Sequence, residues 1–317
     1  YFSLLPKRLR DSARSRVRFW NLGDPSSDHC LAEKLCGNHF VIERIKEYCV
    51  EANMGSGDLQ EFFLMIWRAT EHEDKLGKLL GLPFYSATPE QSQLFGTKQG
   101  SRSIFKLLGI PCADGTYKEE KDLDCLYKSI WKVLRRNPRA TKGVVKLADG
   151  FSGMGNAVLD LTRVQERVQT MHRYITDYPP DKELKRLTKL AFENGIFHRR
   201  TWDDYREEIP VMGCIFELFI DVEEEHGAPK PTRRKQGVTS PSVQGVIDEK
   251  GFVSILSTHE QVLDEQVYLG CEFPCKSDYR LQLLEYGKKV GDFLASAGVR
   301  DRFGVDFLCV PKAIGQW

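Results

Sequence analysis

Residues 142–156 read KGVVKLADGFSGMGN. Val144 and Val145 form a short apolar run that delivers Lys146 to its end, and Gly150, Ser152, Gly153 and Gly155 follow at once. Valine favours an extended strand, and glycine tolerates close backbone approaches that a Cβ forbids. A strand that ends in lysine and enters a glycine-rich loop suits a polyphosphate. The lysine is a point charge, and unshielded N–H groups can face phosphate oxygens. That reading implies ATP. The competing reading is a plain strand-to-strand turn in which glycine supplies only positive φ. The stretch is not a Walker A loop, because the lysine precedes the glycines and no Gly-Lys-Ser/Thr closes them. Its spacing does not fit G-x-G-x-x-G either.

The rest of the composition narrows the classes. A chain of 317 residues has room for two or three packed subdomains. Lysine and arginine number 46 against 45 acids, so net charge gives no reason to expect nucleic acid or a membrane surface as partner. No apolar run approaches the roughly 18 residues of a membrane span. The start, YFSLLPKRLRDSARSRVRFW, is basic but lacks the charged-then-apolar order of a secretory signal. The missing initiator methionine reads as a segment of something longer. Nine scattered cysteines, an odd number mostly in apolar contexts, favour reduced thiols and a cytoplasmic setting. Cys271 and Cys275 are a close pair without the spacing or companions of a metal site, and the histidines form no H-E-x-x-H pair.

Along the chain, residues 19–22 read as a strand ending in the turn Gly23-Asp24-Pro25. A helix is expected to begin at Phe40, and a long amphipathic pattern covers residues 59–80. This mixture predicts a small α/β unit up to about Thr97. Lys98 opens a helix that Gly109 and Pro111 stop. Residues 123–134 give another helix, residues 158–161 a return strand after the glycine loop, and residues 164–172 and 182–194 two further helices. Beyond Pro210 the pattern turns to β. Residues 214–220 form an apolar strand interrupted by Glu217, and DEKG turns residues 242–248 onto 252–257. A long helix over 279–297 and a strand over 303–310 close the chain.

Two lysines for phosphates, an apolar strand edge for adenine and an acid for Mg²⁺ are what a carboxylate-activating ligase requires. Lys98, Lys146, Glu217 and Asp306 occur in that order. The order resembles the ATP-grasp superfamily, and more narrowly its pheganomycin-type peptide ligases, which carry a preceding small domain. The stretches that carry the resemblance are SLLPKRLR, LGDPSSDHCLAEKLC, GTKQGSRSIFKLLGIP, VVKLADGFSGMGNAVLDL, SPSVQG, LSTHEQ, YLGCEFPC and RFGVDFLCV. The resemblance implies an α+β fold in which two α+β subdomains clasp ATP, after a small α/β pre-ATP-grasp domain. On that basis residues 1–97 are the preceding domain, 98–210 the first ATP-grasp subdomain and 211–317 the second.

The resemblance assigns roles residue by residue. Lys98 and Lys146 would contact ATP phosphates, and the loop with Gly150, Ser152, Gly153 and Gly155 would fold over them. Glu217 and the backbone of Leu218 would border adenine. Asp306 would bind Mg²⁺, a hard cation that prefers oxygen ligands. Arg302 would stabilise a transferring phosphoryl or acyl-phosphate oxygen, to which its fork is suited. Gln244 and His259 lie in matched stretches without a role that the residues themselves suggest. The implied chemistry is attack of a substrate carboxylate on the γ-phosphate, then attack of an amine on the acyl phosphate.

One departure stands out. The family places an E-x-N metal-binding strand shortly after the position of Asp306, whereas here FLCVPKAIGQW follows, without acid or asparagine. Either the segment stops before that strand or the protein has lost it. A degenerate nucleotide-binding module without turnover is therefore the second reading. A nucleic-acid-associated protein, prompted by Arg233-Arg234-Lys235, is the third, and the charge balance argues against it.

Overall fold

A computed structural model of the chain describes residues 6–15, 17–52, 62–148, 155–172, 181–197, 200–220, 238–264 and 267–310. The chain divides into two compact units, Tyr1–Pro89 and Glu90–Trp317. The first contains α1 (Lys7–Ser15), α2 (Leu31–Gly37), α3 (His39–Ala52) and α4 (Glu71–Leu80), and the last three enclose a small core of Ala32, Ile42, Cys49, Leu76, Leu80 and Leu82. Within the pattern expected over 59–80, the described residues 62–70 lie outside a helix and α4 begins at Glu71. Thr70 and Glu73 form a reciprocal capping box there, which fixes the helix start. Gly81, at φ 68°, ends α4 in the left-handed conformation that glycine adopts without strain. The residues just before the cap lie outside α4, and Leu64 makes a parallel bridge to Phe84. Residues 19–22, expected as a strand, have no ladder partner among the described residues.

After Pro89 the second unit takes in the rest of α5 (Pro89–Phe95), then α6 (Lys98–Leu107), α7 (Leu123–Arg136), β1 (Lys142–Leu147) and β2 (Asn156–Asp160). It continues through α8 (Thr162–His172), α9 (Lys182–Glu193), β3 (Ile196–Phe197), α10 (Trp202–Met212) and β4 (Cys214–Leu218). These strands form an antiparallel sheet in the order β3-β2-β1-β4. Leu126, Ile130 and Leu134 recur at helical spacing on α7 and join Val145, Leu147 and Leu159 in one buried cluster. Each such side chain contributes roughly 1.5–3 kcal/mol when fully buried. The outer edge of β4 is covered too. Thr116 N–H donates to the Phe216 carbonyl at 2.8 Å, and Glu120 and Cys214 exchange backbone bonds at 2.8 and 2.9 Å. Gly115 is required in that covering segment, since a Cβ there would lie 2.2 Å from the Phe216 carbonyl oxygen.

A second antiparallel sheet contains β5 (Pro241–Ile247), β6 (Val253–Asp264), β7 (Val267–Glu272) and β8 (Arg302–Asp306), in the order β7-β6-β5-β8. The expected DEKG turn joins β5 to β6, where Asp248 and Phe252 close the hairpin and Gly251 takes φ 89°. The helix α11 (Ser277–Ser296) packs on one face of this sheet. It approaches closely because Gly287 and Gly291 face Val243, Val253 and Phe303. Two α+β halves, each with a four-stranded antiparallel sheet, match the α+β architecture expected from the sequence. No helix among the described residues is long and apolar enough to cross a membrane.

Candidate active site

Two lysines meet at the end of β1. Thr97 caps α6 by accepting the Gly100 N–H at 3.1 Å, which places Lys98 at the first helical position. Lys98 Nζ donates to the carbonyls of Leu147 at 2.7 Å and Ala148 at 3.4 Å. Lys146 lies one residue earlier on the strand. The glycine-rich loop starts here, and its far end returns to the same place: the Leu147 N–H donates to the Gly155 carbonyl at 2.8 Å. Gly150, Ser152 and Gly153 lie outside the described residues.

The partner of Lys146 is Glu217. The β1–β4 register pairs Val144 with Glu217, so Lys146 is its diagonal neighbour on the same face. Lys146 Nζ is hydrogen-bonded to Glu217 Oε2, while Arg102 Nη1 donates to Glu217 Oε1 at 2.7 Å. Arg102 is only 3% exposed and the Glu217 side chain 14% exposed. Burial by itself would raise the pKa of the Glu217 carboxyl. The charges and hydrogen bonds of Lys146 and Arg102 outweigh that effect and hold it below the ordinary range. Sequence placed Glu217 beside adenine; the structure places its carboxylate between two cations. The Leu218 N–H is taken by the Asp114 carbonyl at 2.8 Å.

Arg102 was not singled out in the sequence, yet a signal was present. It follows Lys98 by four residues, the spacing that puts both on one helix face. Its Nε donates to the Thr116 carbonyl at 2.8 Å, and its guanidinium lies 4.9 Å from the centre of the Tyr117 ring. Nη2 is buried with no protein partner among the described residues. A buried, unsatisfied guanidinium nitrogen costs stability unless an acceptor reaches it. It is a donor beside the lysines with capacity to spare. The covering segment is anchored in turn by Asp114, which takes two bonds of 2.7 Å from Arg136.

In the second sheet the register aligns Asp306 with Ser242 and Ser242 with His259. Gln244, two residues from Ser242, shares that face and donates to Ser242 Oγ at 2.9 Å. The two matched stretches without an assigned role therefore converge on the row that holds Asp306. Gln261 Nε2 donates to Asp306 Oδ1 at 2.7 Å. His259 is buried, its ring 5.0 Å from that of Phe273, and its Nδ1 has no partner among the described residues. Arg302 lies four residues before Asp306 on the same strand face, about 13 Å away by strand rise. The carboxylate of Asp306 is exposed and offers hard oxygen donors, with one oxygen already bonded to Gln261. As one carboxylate it fits Mg²⁺ held mainly by phosphates, which is how Mg²⁺ commonly sits beside a nucleotide.

A family model described as IQCH-like, ATP-grasp matches residues 89–312. The chain is 25% identical over 245 residues to the L-propargylglycine–L-glutamate ligase of Streptantibioticus cattleyicolor, an alignment covering 76% of this chain and 43% of that protein. It is 22% identical over 267 residues to IQ motif-containing protein H of Danio rerio, covering 77% of this chain and 23% of the relative. The chain thus spans less than half the length of the curated relatives it matches. Among solved structures, the biotin carboxylase domain of Hydrogenobacter thermophilus 2-oxoglutarate carboxylase, crystallised with MgADP, ADP and bicarbonate, superposes with a TM-score of 0.50. That alignment is 16% identical and covers 85% of this chain and 48% of the other.

Proposed function

The chain belongs to the IQCH-like ATP-grasp family, and on that premise we propose that it binds ATP and joins a carboxylate to an amine. The observation that carries this reading is the convergence of Lys98 and Lys146 at the mouth of the glycine-rich loop, with Glu217 and Arg102 beside them. In our reading the two sheets are the two lobes of the ATP-grasp domain, and the first unit, Tyr1–Pro89, is the preceding domain expected over residues 1–97. Phosphate oxygens would take Lys146 away from Glu217, and Arg102 would remain to neutralise the carboxylate left behind. Lys98 and the loop N–H groups would complete the phosphate cradle.

Asp306 would hold Mg²⁺, which supplies neutralisation of phosphate charge when bound. Arg302, on the same strand face, would meet the transferring phosphoryl or acyl-phosphate oxygen. Attack of the substrate carboxylate on the γ-phosphate, then of the amine on the acyl phosphate, yields the amide. The protein's part is positioning, charge neutralisation and exclusion of water. By analogy with the propargylglycine–glutamate ligase, amino acids are the first substrate class to try.

Calorimetric titration with ADP and Mg²⁺ tests the nucleotide site. Lys146→Ala is expected to weaken affinity by about 10-fold or more, the value of a charge-assisted hydrogen bond of roughly 1.5–3 kcal/mol. Unchanged affinity would refute the phosphate assignment. Phosphate release from ATP with a panel of amino acids then tests ligation. Tight nucleotide binding without release would instead assign the chain to the class of binding modules without turnover.

A further inference from the structure

The first unit carries a donor cluster that the nucleotide reading leaves unused. Cys30, Glu33 and His72 each contribute one ligand-type atom to a group whose members all lie within 4.8 Å of one another. Local structure explains how they meet. Cys30 occupies the N-cap of α2 with extended backbone, and its thiol makes no capping hydrogen bond. Glu33 lies three residues further on, the spacing that brings two side chains to one side of a helix. His72 arrives at the second position of α4, where its N–H is held by Thr70 Oγ1 at 3.2 Å. Ala32 and Leu35 of α2 pack with Leu76 and Leu80 of α4, which fixes the distance between the two helix starts.

A fourth donor stands in contact. His29 Nδ1 lies 3.0 Å from Glu33 Oε1. His29, Glu33, Cys36 and His72 line a cavity of roughly 670 Å³. An exposed His–Glu pair is by itself an ordinary surface contact worth under about 1 kcal/mol. It accounts for two of the four groups and leaves Cys30 and His72 unexplained. Lys34, the cation on α2, is drawn off to the Asp24 carbonyl at 3.2 Å and does not enter the cluster. Lys75 lines the same cavity and opposes a cation, which an anionic thiolate and carboxylate together offset.

We propose that Cys30, Glu33 and His72, with His29 as fourth ligand, form a binding site for a zinc-class divalent cation. Thiolate, imidazole and carboxylate are the donors zinc takes, and ligand atoms on one tetrahedral ion stand about 3.5 Å apart. Closing the three donors from within 4.8 Å calls for side-chain rotation, which the exposure of Cys30 and His72 permits, and His29 would follow through its contact with Glu33. The site belongs to the first unit alone and is independent of ATP binding.

The test is metal titration of the full chain, with Zn²⁺ against a competing chelator and with Co²⁺ followed by absorption. One equivalent is expected to bind, with a sulfur-to-cobalt charge-transfer band. Cys30→Ser is expected to abolish that band, and both Cys30→Ser and His72→Ala to weaken Zn²⁺ binding by about tenfold or more. Cys125→Ser, at an exposed cysteine of the second unit, should change neither. A measurement on the unaltered chain covers the case of a variant that fails to fold: Zn²⁺ should slow alkylation of Cys30 and leave Cys125 unaffected. Absence of stoichiometric binding, a missing sulfur–cobalt band, or equal alkylation of Cys30 with and without Zn²⁺ would each overturn the site.

Discussion

Glu217 is buried deeply enough that its charge requires a counter-charge, and it has two of different kinds. Arg102 is almost wholly inaccessible and tied to the Thr116 carbonyl, while Lys146 keeps 27% of its side chain exposed. The two should therefore separate on substitution. Arg102→Ala removes the buried partner and is expected to cost about 3 kcal/mol in chemical denaturation, the low end for a broken buried pair because Lys146 remains. A loss below about 1 kcal/mol would show that Arg102 does not hold the carboxylate. A second carboxylate gives a pH test. Hydrogen bonds from Arg136, against an opposing effect of burial, hold the Asp114 carboxyl down to about 2 from its ordinary 3.8. A depressed carboxyl stabilises the fold above its unfolded value, and that contribution is lost as pH falls from 3.8 towards 2. Asp114→Asn should flatten the acid limb of the stability profile in this window. An unchanged slope would place the acid sensitivity elsewhere.

At the scale of elements, α11 meets its sheet through glycine. A Cβ on Gly287 would lie 2.6 Å from Val243 Cγ1, inside a fully packed core. Gly287→Ala should destabilise by about 1–3 kcal/mol, the cost of overpacking. Gly270→Ala, where nothing lies within 4 Å, should stay within about 0.5 kcal/mol. Equal thermal shifts for the two would refute the close approach. Elements with their own start and stop chemistry could be read from sequence. Thr97 and Gly109 bracket α6, valines mark β1, and DEKG turns β5 onto β6. Where tertiary partners decide, sequence was silent or misleading. Residues 62–69 share the apolar pattern of α4 yet lie outside it, and β7 lacks a sequence signature because its pairing with β6 supplies its order. The Arg102–Glu217 contact joins residues 115 apart, which no periodicity reports. Cys30 and His72 escaped for the same reason: a ligand motif built from two helices has no fixed spacing.

At the scale of the molecule, the ATP-grasp match and both four-stranded sheets fall within Glu90–Trp317, apart from Pro89 at the first matched position. The buried cluster under β1 and β4 and the smaller one under α11 are likewise complete within that unit. Residues 90–317 expressed alone should therefore fold cooperatively and bind ADP with the affinity of the full chain. A fragment that is soluble and folded but does not bind would assign part of the nucleotide site to the first 89 residues.

The pairing of Lys146 with Glu217 also makes the proposed nucleotide binding a proton-linked event. The lysine that phosphate would recruit is the one that helps keep Glu217 ionised. Once it turns away, the carboxylate loses part of its support and its affinity for a proton rises. The bound state then takes up protons over a pH range in which the free state does not. By linkage, nucleotide affinity must strengthen as pH falls through that range. The enthalpy of binding should accordingly vary with the ionisation heat of the buffer, and Glu217→Gln should remove that dependence.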